Sequence, residues 1–163
     1  MTVSFKVPGE PVGKGRPKFA RVGDGVTTYT PRETRAYEER VRAAYWAAGG
    51  PHLGDRALCI RIVAYCPVPA SVSKARRYGI AFGFEQPTKK PDCDNILKII
   101  CDALNRCAYD DDKQIVRAEV VKKYTADIPR VEVTLYDVEA ADEKAGLRQR
   151  PEDHLRRAES VRI

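Results

Sequence analysis

The stretch LCIRIVAYC, Leu58 to Cys66, leaves this chain the fewest choices. It is rich in β-branched and apolar side chains and is stopped by Pro67 and Pro69, so it reads as a central strand of a sheet. Val3, Phe5 and Val7 alternate with polar residues and predict a first strand. IVRAEVVKKY from Ile115 and VEVTLYDV from Val131, separated by a turn over Thr125 to Pro129, predict an antiparallel hairpin.

Two helices are expected beside these strands. Thr30-Pro31-Arg32-Glu33 reads as a helix start, with Thr30 as cap, Pro31 in the first turn and Glu33 closing a capping box. Tyr37, Val41, Ala44, Tyr45 and Ala48 follow at helical spacing, and Gly49-Gly50-Pro51 ends the run. A second helix is predicted from about Asn95 to Cys107, with a wide apolar face. Ser71 to Ile80 predicts a short basic helix or loop, and Gly9 to Tyr29 a long Gly/Pro-rich basic loop. The order β, α, β, α, β, β argues for one α+β domain, a mixed β-sheet packed by two main helices. That domain is expected to span residues 1–138. Residues 139–163 are charged, with few large apolar side chains, and predict a loose helix or a disordered tail.

Five cysteines with no CxxC pair, and two distant histidines, argue against zinc and for reduced, buried thiols. No apolar leader opens the chain and no stretch suits a bilayer span, so a cytoplasmic protein without membrane contact is expected. The net charge is +6, and from Glu139 on six acids match six bases, so the excess belongs to residues 1–138. Lys14, Arg16, Lys18 and Arg21 form one basic cluster; Lys74, Arg76, Arg77, Lys89 and Lys90 form another. Such a body points to a polyanion, nucleic acid first.

The chemistry concentrates in KKPDCDNILKIICDAL. In an extended segment, residues two apart point the same way, so Asp92 and Asp94 present two carboxylates to one point. Asp110-Asp111-Asp112 lies between the second helix and the next strand, placed to return towards that pair. Convergent carboxylates favour a hard cation, Mg²⁺ or Mn²⁺. An EF-hand fails because Leu97 stands where Gly is required, and a P-loop fails at Gly15. The plain structural alternative makes Asp94 a helix cap, the acidic triplet a solvated turn, and Lys98 the partner of Asp94 and Asp102. Acids set in a basic body are what a nuclease needs: cations for phosphates, carboxylates for the metal.

The pattern Asp92-x-Asp94-Asn95-x-x-Lys98, then Asp102-Ala103-Leu104-Asn105, then Asp111-Asp112-x-Gln114-Ile115 resembles the RusA family of Holliday-junction resolvases. VPGEPVGKGRPKFAR and TYTPRETRAYEE resemble its phage-type members, and the likeness covers about residues 1–138. The resemblance implies a homodimer that resolves four-way DNA junctions by paired symmetric nicks with Mg²⁺ or Mn²⁺. It implies Asp92, Asp94 and Asp112 as catalytic metal ligands, Lys98 as catalytic lysine, and Lys122 as a basic position facing DNA. Phe82 and Phe84 are candidates for the branch point, although ordinary packing is the simpler reading of both. Three other readings stay open: a basic DNA-binding module without catalysis, a metal nuclease acting on other branched DNA, and a structural protein whose basicity is incidental.

Overall fold

The structure, a computed structural model, describes residues 1–23 and 25–138. The charged segment from Glu139 on, and with it the expected tail, lies outside the described residues. The elements in chain order are β1 (Thr2–Pro8), β2 (Lys18–Val22), β3 (Gly25–Tyr29), α1 (Arg32–Ala47), β4 (Leu58–Pro67), α2 (Lys74–Ala81), α3 (Cys93–Leu104), β5 (Ile115–Thr125) and β6 (Arg130–Asp137). A 3₁₀ turn, Asp112–Gln114, precedes β5.

The main sheet has the order β1-β6-β4-β5, with β4 parallel to β5 and antiparallel to β6. It is a mixed sheet in one α+β domain. Its strands alternate, and one face is covered. Leu58, Ile60, Ile62 and Ala64 of β4, Val131, Val133 and Leu135 of β6, and Phe5 and Val7 of β1 are buried there. Tyr37, Val41 and Tyr45 of α1 and Ile96, Ile99, Ile100, Ala103 and Leu104 of α3 complete the same core. Each fully buried Ile or Leu contributes about 1.5–3 kcal/mol. The other face carries cross-strand ion pairs, Arg61 with Glu119 at 2.8 Å and Lys6 with Glu132 at 3.6 Å. Helix α2 buries no residue, so the core layer is α1 and α3 alone.

Four expectations are corrected. The predicted β5–β6 hairpin does not form, because β4 lies between the two strands. β6 alternates buried positions and belongs inside the sheet; β5 is largely exposed and belongs at its edge. Strands two places apart are separated by about 9.5 Å, a gap that the link 126–129 can cross. The long loop 9–29 contains an antiparallel hairpin, β2 with β3, whose short strands have too little buried face to betray themselves by alternation. Helix α1 starts one residue late for the capping box: Pro31 is the N-cap, its carbonyl takes the first helical bond from Arg35 N–H at 3.1 Å, and no side chain caps it. Helix α3 starts early, with Asp92 as N-cap and Ile96 N–H donating to its carbonyl at 3.0 Å. Asp92 and Asp94 are therefore not two steps of an extended strand; Asp94 sits in the first helical turn.

Candidate active site

Helix α3 forms because its apolar residues fill one face against the sheet, which leaves Asp94, Lys98 and Asp102 four residues apart on another. Asp92 and Asp94 are exposed at the helix start. Asp92 stands at the N-cap yet makes no side-chain capping hydrogen bond, so its carboxylate is not spent on the helix. Asp94 is not the cap. Among the described residues, Lys98 pairs with Asp102 at 2.8 Å and Asp112 at 3.0 Å, and no pair with Asp94 is present.

The acidic triplet divides into three roles. Asp110 is exposed, with His52 Nε2 at 3.5 Å. Asp111 caps the 3₁₀ turn, its Oδ1 accepting from Lys113 N–H at 3.0 Å, and that bond holds its carboxyl below the usual range. Asp112 turns to α3 and meets Lys98. Gln114 holds this loop in place. It is 9% exposed; its Oε1 accepts from Asp110 and Asp111 N–H at 2.9 and 3.0 Å, and its Nε2 donates to Gly54 O at 2.7 Å and Arg56 O at 3.0 Å. The sequence contained Gln114 only as a pattern residue; its role becomes visible once the Gly54–Arg56 carbonyls lie beside it.

Asp102 joins two lysines, Lys14 at 2.6 Å and Lys98 at 2.8 Å, and Lys14 also holds Glu38 of α1 at 2.6 Å. Burial disfavours the charges of Asp102 and Lys14, but their mutual hydrogen bonds outweigh it. The Asp102 carboxyl is held below the usual range, and the Lys14 ammonium above its own. Hydrogen bonds to Asp102 and then Asp112 hold Lys98 well above the ordinary lysine value, so it is a permanent cation. The cysteines with a resolved shift go the wrong way for nucleophiles: burial pushes the Cys101 thiol up to about 11, and it raises Cys66 and Cys107 as well.

A groove of about 1000 Å³ runs between the segment 10–18 and the start of α3. Arg16, Lys18, Lys90 and Asp92 line it; Asp94, Lys98 and Asp112 do not. Lys14 N–H donates to Asn95 O at 2.9 Å and pins the segment to α3. Gly13 lets the segment approach closely, since a Cβ there would stand 3.0 Å from Pro91 and 3.1 Å from Asn95. Arg16, Lys18 and Arg21 are exposed. Lys74, Arg77, Lys89 and Lys90 are exposed on the segment leading into α3. Arg76 is taken by Glu85 at 2.6 Å, and Lys122 Nζ donates to Lys89 O at 2.6 Å. Lys14 is spent on two carboxylates and so differs from the other basic candidates.

Among the described residues, no three Asp, Glu, His or Cys side chains stand together as a ready cation site. The donors at the start of α3 are carboxylate oxygens, whose chemistry fits a hard divalent cation, while Lys98 occupies Asp112 in this conformation. Among the described residues no helix is long and apolar enough to cross a membrane.

Comparison with known proteins covers almost the whole described chain. A sequence model of the family described as "Endodeoxyribonuclease RusA" matches residues 8–136. The uncharacterized protein YqaN of Bacillus subtilis (strain 168) is 34% identical over 140 residues, spanning 85% of this chain and 98% of that protein.

Proposed function

Because the chain belongs to the RusA endodeoxyribonuclease family, we propose that it resolves four-way DNA junctions by paired, symmetric nicks, with residues 1–138 as the nuclease domain. The observation that carries this reading is Lys98 held between Asp102 and Asp112, one turn from Asp94, on the helix whose N-cap, Asp92, lines a groove edged by cations. Asp92, Asp94 and Asp112 are the residues that would hold Mg²⁺ or Mn²⁺. When bound, such an ion acidifies a water and withdraws charge from the scissile phosphate.

The chain's own residues supply the rest. Lys98, a permanent cation, stabilises the charge that builds on the phosphoryl oxygens. Asp102 holds Lys98 from one side, and the Gln114-locked loop presents Asp112 from the other. Arg16, Lys18, Arg21, Lys74, Arg77, Lys89 and Lys90 grip backbone phosphates, contacts that are largely independent of sequence and weaken with salt. A two-fold dimer presents two such centres to a junction that is itself roughly two-fold, so paired cuts follow from symmetry.

The test is cleavage of an end-labelled four-way junction beside a linear duplex of the same arms, with Mg²⁺ or Mn²⁺, and the nicks mapped on each strand. Paired nicks at symmetric positions of the junction, with the duplex intact, support resolution. Cutting of flaps or forks with equal ease makes the protein a broader branched-DNA nuclease. Salt-sensitive binding without cutting makes it a binding module.

A further inference from the structure

Helix α2 leaves its aromatic residues uncovered. Tyr78, Phe82 and Phe84 are 61%, 60% and 80% exposed, so ordinary packing does not account for either phenylalanine. Their placement is nonetheless fixed by backbone. Phe84 N–H donates to Gly79 O at 2.8 Å and Gly83 N–H to Ile80 O at 3.1 Å, with Gly83 at a φ of 77°. That is a Schellman end, and only glycine adopts the Gly83 conformation without strain.

The rings of Phe82 and Phe84 lie within 18° of parallel, with centroids 6.5 Å apart. Tyr78 packs against Phe82, centroid to centroid 4.2 Å. Exposed ring faces of this kind are surfaces on which nucleobases stack. The surroundings are basic. Helix α2 carries Lys74, Arg76 and Arg77 and no acid, and Glu85 neutralises only Arg76. Among the described residues Lys74 and Arg77 have no carboxylate within ion-pair distance. Lys89 and Lys90 follow before Asp92.

We propose that Phe82 and Phe84 form a stacking platform for an unpaired nucleobase, with Lys74 and Arg77 holding the phosphates beside it. The proposal rests on the nuclease reading only for the source of that base, the branch point of the DNA substrate. Exposed aromatic faces set among cations match a nucleotide better than they match the apolar surface of a second protein chain.

The test measures binding by fluorescence anisotropy in EDTA, so that nothing is cut, using a four-way junction, a linear duplex and a single-stranded oligothymidine. Phe82→Ala and Phe84→Ala, both at exposed positions, are each expected to weaken single-strand and junction binding about tenfold and to spare the duplex. Phe84→Trp is expected to restore binding. Unchanged binding to single strand and junction overturns the platform, and so does an equal loss on duplex. A shift from dimer to monomer by sedimentation also overturns it, because the patch is then an interface between copies. If the wild type cuts no branched DNA while the Phe84 effect on the single strand persists, the nuclease reading fails and the platform stands. If it cuts junctions while Phe84→Ala binds like the wild type, the platform fails and the nuclease reading stands.

Discussion

Lys98 of α3 and Asp112 of the 3₁₀ turn meet across 3.0 Å, which joins the start of the long apolar helix to the loop that enters the edge strand. Beyond Lys98 the chain of alternating charge continues through Asp102 to Lys14 and Glu38. Lys98 is more than half exposed, and exposed ion pairs contribute little to folding. Its value lies in where it puts the charge.

Lys98→Met is therefore expected to slow junction cleavage by about a hundredfold or more while shifting unfolding by less than about 1 kcal/mol. Single-turnover cleavage beside urea denaturation checks both halves. A variant that unfolds readily and cuts in proportion to its folded fraction would make Lys98 a structural residue.

Gln114→Ala is expected to act in the opposite manner. It removes a buried side chain that makes four hydrogen bonds and strands the Gly54 and Arg56 carbonyls. Loss of about 2–4 kcal/mol of stability is expected, with cleavage reduced at a temperature where the variant is still folded. The thermal midpoint and the cleavage rate report these separately.

Asp102 predicts a pH dependence of stability. Burial alone would raise its carboxyl, but Lys14 and Lys98 outweigh that and hold it below the ordinary 3.8. A depressed native pKa gives stability that is full above the ordinary carboxylate range and is lost as pH falls through the native value. Asp102→Asn should thus be less stable than the wild type at neutral pH, and the gap should close as the pH falls below the ordinary carboxylate range. Urea midpoints measured across that range decide it; a constant gap would show that the carboxylate's charge is not what matters.

Lys14 and Lys18 should separate although they are close in sequence. Lys14→Met leaves Glu38 and Asp102 without their shared cation, so it should lower stability and leave the salt dependence of DNA binding unchanged. Lys18→Met should leave stability alone and reduce the slope of log affinity against log salt by about 0.9, one phosphate contact. Equal slopes for Lys18→Met and the wild type would remove Lys18 from the DNA surface.

Strong periodicity made β1, β4, α1 and α3 legible in the sequence, because each buries one face of a regular element in the core. Strand pairing was not legible. Residues of β5 and β6 read as neighbours along the chain, and nothing local records that β4 slides between them. The β2–β3 hairpin was hidden for a related reason, since an exposed ribbon needs no apolar alternation. For the candidate site, Asp92, Asp94, Lys98 and Asp112 stood out as a pattern, but their geometry did not. Asp94 lies inside the helix, and Lys98 chooses Asp112, fourteen residues away, over Asp94. Lys14 looked like one more surface cation because its partners Glu38 and Asp102 are distant in sequence.

The central claim is that the exposed acids of α3 belong to a cutting centre. The most direct measurement is Mg²⁺-dependent cleavage of a four-way junction by the wild type and Asp94→Asn, with folding and EDTA-phase junction affinity measured on the same samples. The prediction is paired nicks from the wild type and, from a folded Asp94→Asn that binds the junction as tightly, cleavage slowed by about a hundredfold or more. Asp94→Asn cutting as fast as the wild type, or a wild type that binds the junction and never nicks it with Mg²⁺ or Mn²⁺, would contradict it.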